Sequence, residues 1–249
     1  MALRNTQTRC FIVACRTRIR TDMPEQLGLD LPGITALGRA DFLVAPSNAL
    51  AVALIEGWQD WPGRKLVLSG PAGSGKTHLA HVWAALSGAE ICPARDLVGQ
   101  DIPDLARRSV AIEDVPDIAG NAQAETALFH LHNLALAEGN ALLFTGEAAP
   151  RAWHLNLPDL KSRIEGTQAV SLDLPDDALL SAVLAKLFAD RQLTPKPELI
   201  AYLILRIDRS FAAARRIVAA LDAASLAQKR PLSRQLAAAV LDKEDQLAR

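Results

Sequence analysis

The stretch Lys65-Leu-Val-Leu-Ser-Gly-Pro-Ala-Gly-Ser-Gly-Lys-Thr-His-Leu-Ala80 constrains this chain more than any other. An apolar run (Leu66, Val67, Leu68) meets a glycine-rich turn, after which Leu79, Val82 and Trp83 recur at helical spacing. Within it, Gly70, Gly75, Lys76 and Thr77 satisfy G-x-x-x-x-G-K-[ST] in the strand–loop–helix setting that the motif requires. Glycines at 70, 73 and 75 let successive backbone N–H groups curl inward without a Cβ in the way, forming a nest for phosphate oxygens. The helix that follows adds its positive N-terminal end. The turn Gly70-Pro71-Ala72-Gly73-Ser74-Gly75, with Lys76, Thr77 and His78 opening the helix, is the expected nucleotide cradle. Lys76 is expected on the β- and γ-phosphates, and the Thr77 hydroxyl on Mg²⁺.

Composition narrows the setting. The 249 residues are half hydrophobic, with a formal net charge of −1, which suits one large or two modest domains with real cores. Few aromatics and abundant Ala and Leu favour helices. No apolar run reaches the length of a membrane span. Near-neutral charge without a long basic block argues against strong direct binding to nucleic acid. Cys10, Cys15 and Cys92 lack zinc-type spacing, so a reduced, cytoplasmic protein is the economical expectation.

Residues 1 to 22 stand apart, with Arg4, Arg9, Arg16, Arg18 and Arg20 against the lone acid Asp22. A signal peptide needs a longer uninterrupted apolar stretch than Cys10 to Cys15. A basic tail touching nucleic acid is a second reading. The third is that Met23 is the true start, because coherent patterning begins just after it. Gln26-Leu-Gly-Leu-Asp-Leu31 follows, its alternating leucines suiting an extended segment, either a strand packed on the domain or a docking peptide. Residues 41 to 57 read as an extended piece entering a well-buried helix at Pro46 and Ser47. Trp58 and Trp61 flank a turn and read as packing.

Beyond the cradle, Ala89 to Cys92 reads as a short second strand. Ser109-Val-Ala-Ile-Glu-Asp-Val-Pro-Asp117 is an apolar strand ending in two acids. In a phosphate-loop protein, Glu113 there is the Mg²⁺-associated carboxylate and Asp114 the water-activating one. Residues 122 to 138 read as a helix, on which His130 and His132 lack the partners of a metal site. Ala141 to Thr145 is another buried strand, whose tip, Thr145, is expected to help position water. Ala169 to Leu174 is the last strand. Strands alternating with helices mean a parallel α/β sheet with its ligands at the strands' C-terminal ends. From Pro175 the texture changes to helical stripes: Leu180, Val183, Leu184, Leu187 and Phe188; then Leu199, Ile200, Leu203 and Ile204; then residues 209 to 228; then a helix capped by Ser233.

A phosphate-loop α/β domain, an acidic strand end, a polar strand tip, an arginine before the last strand and a helical lid together resemble the AAA+ ATPases. Phe42-Leu-Val-Ala-Pro-Ser-Asn48 resembles the nucleotide-proximal first box of the bacterial replication initiator DnaA, and Leu160-Lys-Ser-Arg163 resembles the box holding its arginine finger. The resemblance covers residues 35 to 249. The initiator carries a helix-turn-helix DNA-binding domain beyond the lid, whereas this sequence ends at Arg249. With Gln26 to Leu31 ahead of such a domain, the chain is similar to the Hda-type regulatory homologues of the initiator.

That resemblance implies an N-terminal extension (1–34), an AAA+ nucleotide-binding domain (35–174) and a helical lid (175–249). It implies that Gln26, Leu27, Leu29 and Leu31 dock into the sliding clamp of DNA polymerase, so that DNA is met mainly through the clamp. It implies that Arg163 enters the ATP site of the initiator as a finger in trans, and it implies a possible homodimer and a role for ADP or ATP with Mg²⁺. The blander reading of Arg163 is an ion pair with Glu165 or Asp159. Two departures stand out. Glu113 occupies a place where aspartate is usual, and Ala212 falls where the family has a lid arginine, with Arg209 one turn before it and Arg215 or Arg216 one turn after. Rival functions are an autonomous AAA+ ATPase such as a helicase loader, and a non-hydrolysing nucleotide-bound adaptor.

Overall fold

Three of the apolar segments are hydrophobic at every position, the pattern of strands covered on both faces. In the computed structural model, which describes residues 43–247 with side chains as far as 243, they pair as such a sheet. The strands are β1 (Lys65–Ser69), β2 (Glu90–Pro93), β3 (Val110–Glu113), β4 (Leu142–Gly146) and β5 (Ala169–Ser171). All pairs are parallel, in the order β2-β3-β4-β1-β5. Alternation along each strand sends side chains to two separate cores. Leu66, Leu68, Ala111, Leu143 and Val170 meet α1 (Ala49–Glu56) and α2 (Lys76–Ser87) on one face. Val67, Val110, Ile112, Leu142 and Phe144 meet α4 (Ala122–Ala137) and α5 (Pro158–Glu165) on the other. The short α3 (Ile102–Leu105) joins that second face through Leu105.

The remaining helices are α6 (Asp177–Asp190), α7 (Pro197–Ile204), α8 (Phe211–Gln228) and α9 (Arg234–Leu247). They bury a third core of their own around Leu184, Phe188, Leu203, Ile217 and Leu221. Three of their starts are set by side-chain caps: the Asp176 carboxylate accepts the Leu179 N–H at 2.7 Å, Ser210 Oγ that of Ala213 at 3.0 Å and Ser233 Oγ that of Leu236 at 3.2 Å, while α7 opens on Pro197.

Three expectations need correction. The helix at residues 49–56 is one-sided, since Ala51, Val52 and Ile55 are buried but Leu50 is 68% exposed. The last strand ends at Ser171, because β1, its only neighbour among the described residues, gives way to the glycine turn after Ser69. The third lid helix starts at Phe211, since Ser210 caps it, so Arg209 lies outside the helical stripe. Trp61 and Trp83 do pack, with ring centroids 5.2 Å apart. Gln26, Leu27, Leu29, Leu31 and Phe42 lie outside the described residues, as does the whole of residues 1 to 22.

Candidate functional site

β1 ends at Ser69 and the chain turns sharply through Gly70 to Gly75 into α2. Two of these glycines are dictated by the geometry. Gly75, the residue that starts α2, has φ 100°, and Gly73 has φ 78°, where a Cβ would lie 2.3 Å from the Cβ of Ser210. The first turn of α8 thus rests on the cradle, and the Phe211 N–H donates to Gly73 O at 3.2 Å. Lys76 is buried within the turn, its Nζ donating to Gly70 O at 2.7 Å and Pro71 O at 3.0 Å. Burial holds this ammonium below the usual lysine range, opposed by the carboxylates of Asp114 and Glu147.

The acids come next to the cradle through the sheet register. Leu68 pairs with Thr145 and Ile112 with Phe144, so Thr145 is flanked by β1 and by the tip of β3. The buried Thr145 hydroxyl accepts the Asp114 N–H at 3.0 Å, fixing Asp114 at φ 52°. A non-glycine residue in that left-handed region costs energy and recurs at functional sites. Thr145 thus meets Asp114 through the backbone N–H rather than through its carboxylate. Glu113 Oε1 and Ser74 Oγ are both buried without a protein hydrogen-bond partner. A turn whose glycines admit no Cβ, an inward lysine and an orphaned carboxylate oxygen fit a nucleotide phosphate with its cation. Gly70, Pro71, Ala72, Gly73, Ser74, Gly75, Lys76, Thr77 and His78 could hold the nucleotide, and Thr77 and Glu113 the cation. Among the described residues, no group of three or more His, Cys, Asp or Glu forms a metal cluster independent of such a ligand.

Arg163 lies elsewhere. Its carbonyl oxygen accepts from Lys65 Nζ at 3.3 Å and from Thr167 Oγ1 at 2.7 Å. Lys65 opens β1, whereas the cradle follows its last residue, Ser69, about 13 Å away at roughly 3.3 Å per strand residue. The Arg163 guanidinium stacks over Phe129, 4.6 Å from the ring centroid, and donates to the carbonyl of Asp159 at 3.1 Å. Asp159 thus engages it through its backbone. Beneath lies His132, stacked near Phe144 and 3.3 Å from Lys65 Nζ. Burial pushes its imidazole down to about 4, with Asn133 opposing and the Lys65 and Arg163 charges assisting.

The lid arginines divide. Arg209 forms an ion pair with Asp177 of α6 at 2.7 Å. Arg216 and Ala212 are exposed on α8, and Arg215 is half-buried. Sequence reasoning missed Glu147, whose charge reaches Lys76, and Ser210 and Phe211, which press on the cradle. It also missed Glu125. The single signal at that position was an acid in the first turn of a helix.

No protein-family model matches the chain. Among solved structures, domain III of the Thermotoga maritima replication initiation protein DnaA is similar with a TM-score of 0.71 and 18% identity, over 83% of this chain and 96% of that one. DnaA from Aquifex aeolicus bound to AMPPCP gives 0.62 and 18%, over 72% of this chain but only 62% of that one. A Thermotoga maritima RuvB variant gives 0.61 and 16%, over 79% of this chain and 67% of that one. The fold is that of the AAA+ ATPases: a five-stranded parallel sheet between helices, with a helical C-terminal part, as in DnaA and RuvB. Among the described residues no helix is long and apolar enough to cross a membrane.

Proposed function

We propose that this chain regulates replication initiation. It binds an adenine nucleotide in its own cradle, docks on the sliding clamp through Gln26, Leu27, Leu29 and Leu31, and stimulates ATP hydrolysis by a DnaA-type initiator through Arg163 in trans. The observation that carries this reading is the position of Arg163: the opposite end of β1 from the chain's own cradle, on α5, with its guanidinium held by an aromatic face and a backbone carbonyl. A cation–π contact of this kind is worth about 0.5–1 kcal/mol, too little to keep the guanidinium from a phosphate offered by a partner. There it stabilises charge on the transferring phosphoryl group, as arginine fingers do. The boundaries 1–34, 35–174 and 175–249 are the units we assign to docking, nucleotide binding and lid.

The chain's own residues prepare the cis site. Gly73, Gly75, Lys76 and Thr77 carry backbone N–H groups for phosphate, Lys76 supplies a buried positive charge, and Thr145 aims Asp114. A bound nucleotide with Mg²⁺ on Thr77 and Glu113 would supply the phosphate charge that these groups are arranged to meet. Arg209, paired with Asp177 at the base of the lid, and Arg216, on the same turn-to-turn stripe as Ala212, are the lid arginines we assign to contact with nucleotide. Resemblance in fold to AMPPCP-bound DnaA supports adenine as the base. The rivals are an autonomous ATPase of the helicase-loader kind and a non-hydrolysing adaptor.

Phosphate release separates them, measured with this protein, clamp-loaded DNA and ATP-bound initiator, together and singly. Turnover only in the mixture is expected. Turnover by this chain alone makes it an autonomous ATPase, and none in any combination makes it an adaptor. Gln26→Ala with Leu27→Ala is expected to abolish clamp capture, and undiminished capture would remove the docking claim.

A further inference from the structure

Helix α4 grips α5 along a single stripe. Glu125, in the first turn of α4, is a charged residue only 1% exposed. Its Oε1 accepts the Gly120 N–H at 2.8 Å and the Asn156 N–H at 3.1 Å. Its Oε2 accepts the Asn156 N–H at 2.9 Å and the Leu157 N–H at 2.6 Å. One turn further along α4, Phe129 carries the Arg163 guanidinium. Almost another turn on, His132 meets the same Lys65 ammonium that donates to Arg163 O.

The two ends of the Glu125 network belong to different parts of the site. Gly120 closes the segment that begins at Glu113 and Asp114 and runs through the short turn Val115–Ile118. Leu157 is the residue from which α5 starts, and it has no side-chain cap of its own. The N–H of Leu157 at that end of α5, and that of Asn156 just before it, have no acceptor within the helix and take one from outside it. Glu125 supplies that acceptor and, with the same carboxylate, holds the chain that leaves the acid-bearing strand.

We propose that Glu125 is a positioning residue that couples the segment after Glu113 and Asp114 to the helix bearing Arg163, so that the occupant of the cis cradle sets where the guanidinium stands. This rests on the reading of Arg163 as a finger acting in trans. The side-chain types explain why a carboxylate is required. Both oxygens are used as acceptors by N–H donors, and an amide in its place turns one of them into an NH₂ that faces a donor.

The test uses the full chain carrying Glu125→Gln, with Glu125→Asp as a second variant that keeps both acceptor oxygens one methylene shorter. Arg163→Ala is the control. In the three-component phosphate-release mixture, Glu125→Gln is expected to lower stimulated hydrolysis at least about tenfold, because misplacing a catalytic group by an ångström has effects of that order. Its ADP affinity should stay within about twofold, because Glu125 touches no cradle residue, and Glu125→Asp should recover part of the activity. Hydrogen exchange gives a readout independent of the partner. ADP should slow exchange in residues 156–165 of the native chain, and Glu125→Gln should erase that response while protection in β1 and β4 stays unchanged.

Full stimulation by Glu125→Gln, alongside loss in Arg163→Ala, overturns the positioning role and leaves the finger standing. Full stimulation by Arg163→Ala overturns the finger. The exchange response alone then decides the coupling, which is refuted if residues 156–165 ignore ADP or if their response survives in Glu125→Gln. Should Glu125→Gln not fold, the same two outcomes are read on Glu125→Asp.

Discussion

At the C-terminal end of β1, one unbroken run of residues, Gly70 to Thr77, builds a cradle from its own backbone. At the N-terminal end, Arg163 is set by residues scattered through the chain: Lys65, Glu125, Phe129, Asp159 and Thr167. The first site is specified by chain conformation, which glycine and helix geometry nearly dictate. The second is specified by packing and by buried hydrogen bonds between distant segments. Apart from Ser210 and Phe211, which press on the cradle, changes far along the chain should therefore disturb the arginine more than the cradle.

The sharpest way to break this contrast is a pair of substitutions with opposite effects. Arg163→Ala is expected to lower stimulated hydrolysis by the initiator about 10³-fold or more, the usual worth of a finger, with ADP binding by this chain unchanged in calorimetry. A parallel loss of ADP binding would mean that the two ends are one site. Lys76→Ala should instead act on the nucleotide itself, weakening ADP binding about 10- to 100-fold because a charge-assisted contact of about 1.5–3 kcal/mol to phosphate is removed. Clamp capture by Lys76→Ala is expected to stay intact.

The arginine end should also be the acid-sensitive end. His132 is buried neutral, with its folded pKa pushed down to about 4 from an ordinary value near 6.5. The unfolded chain therefore binds the extra proton first as pH falls. Stability is full above about pH 6.5 and declines between there and about pH 4, by up to about 3 kcal/mol from this group. Denaturant unfolding of His132→Gln should show a correspondingly smaller decline across that window, and an identical decline would place the acid sensitivity elsewhere. The smallest effect belongs to the cradle's rim. Thr145→Val leaves the Asp114 N–H without its acceptor and should cost about 1–2 kcal/mol in denaturant unfolding. ADP affinity should change little.

The same contrast explains what could be read beforehand. The cradle, the acidic strand end and all five strands were legible because each is a local pattern. Glycines at fixed offsets or a short apolar run carry their meaning without knowledge of the rest of the chain. Glu125 was not legible, since its acceptor role depends on Asn156 and Leu157, 31 and 32 residues away. Arg209 was misread on the lid because Ser210 takes the capping position and starts the helix one residue after itself. The end of β5 followed from where β1 runs out, which no property of residues 172 to 174 announces.

Asp114 illustrates a trade between sturdiness and aim. Its backbone is kept in a left-handed twist that glycine would adopt freely, at a cost of about 1 kcal/mol. A chain with Asp114→Gly should thus melt slightly later than its parent while lacking one of the acids beside the cradle. In the proposed function that modest cost is offset by an acid held beside the cradle at a fixed angle.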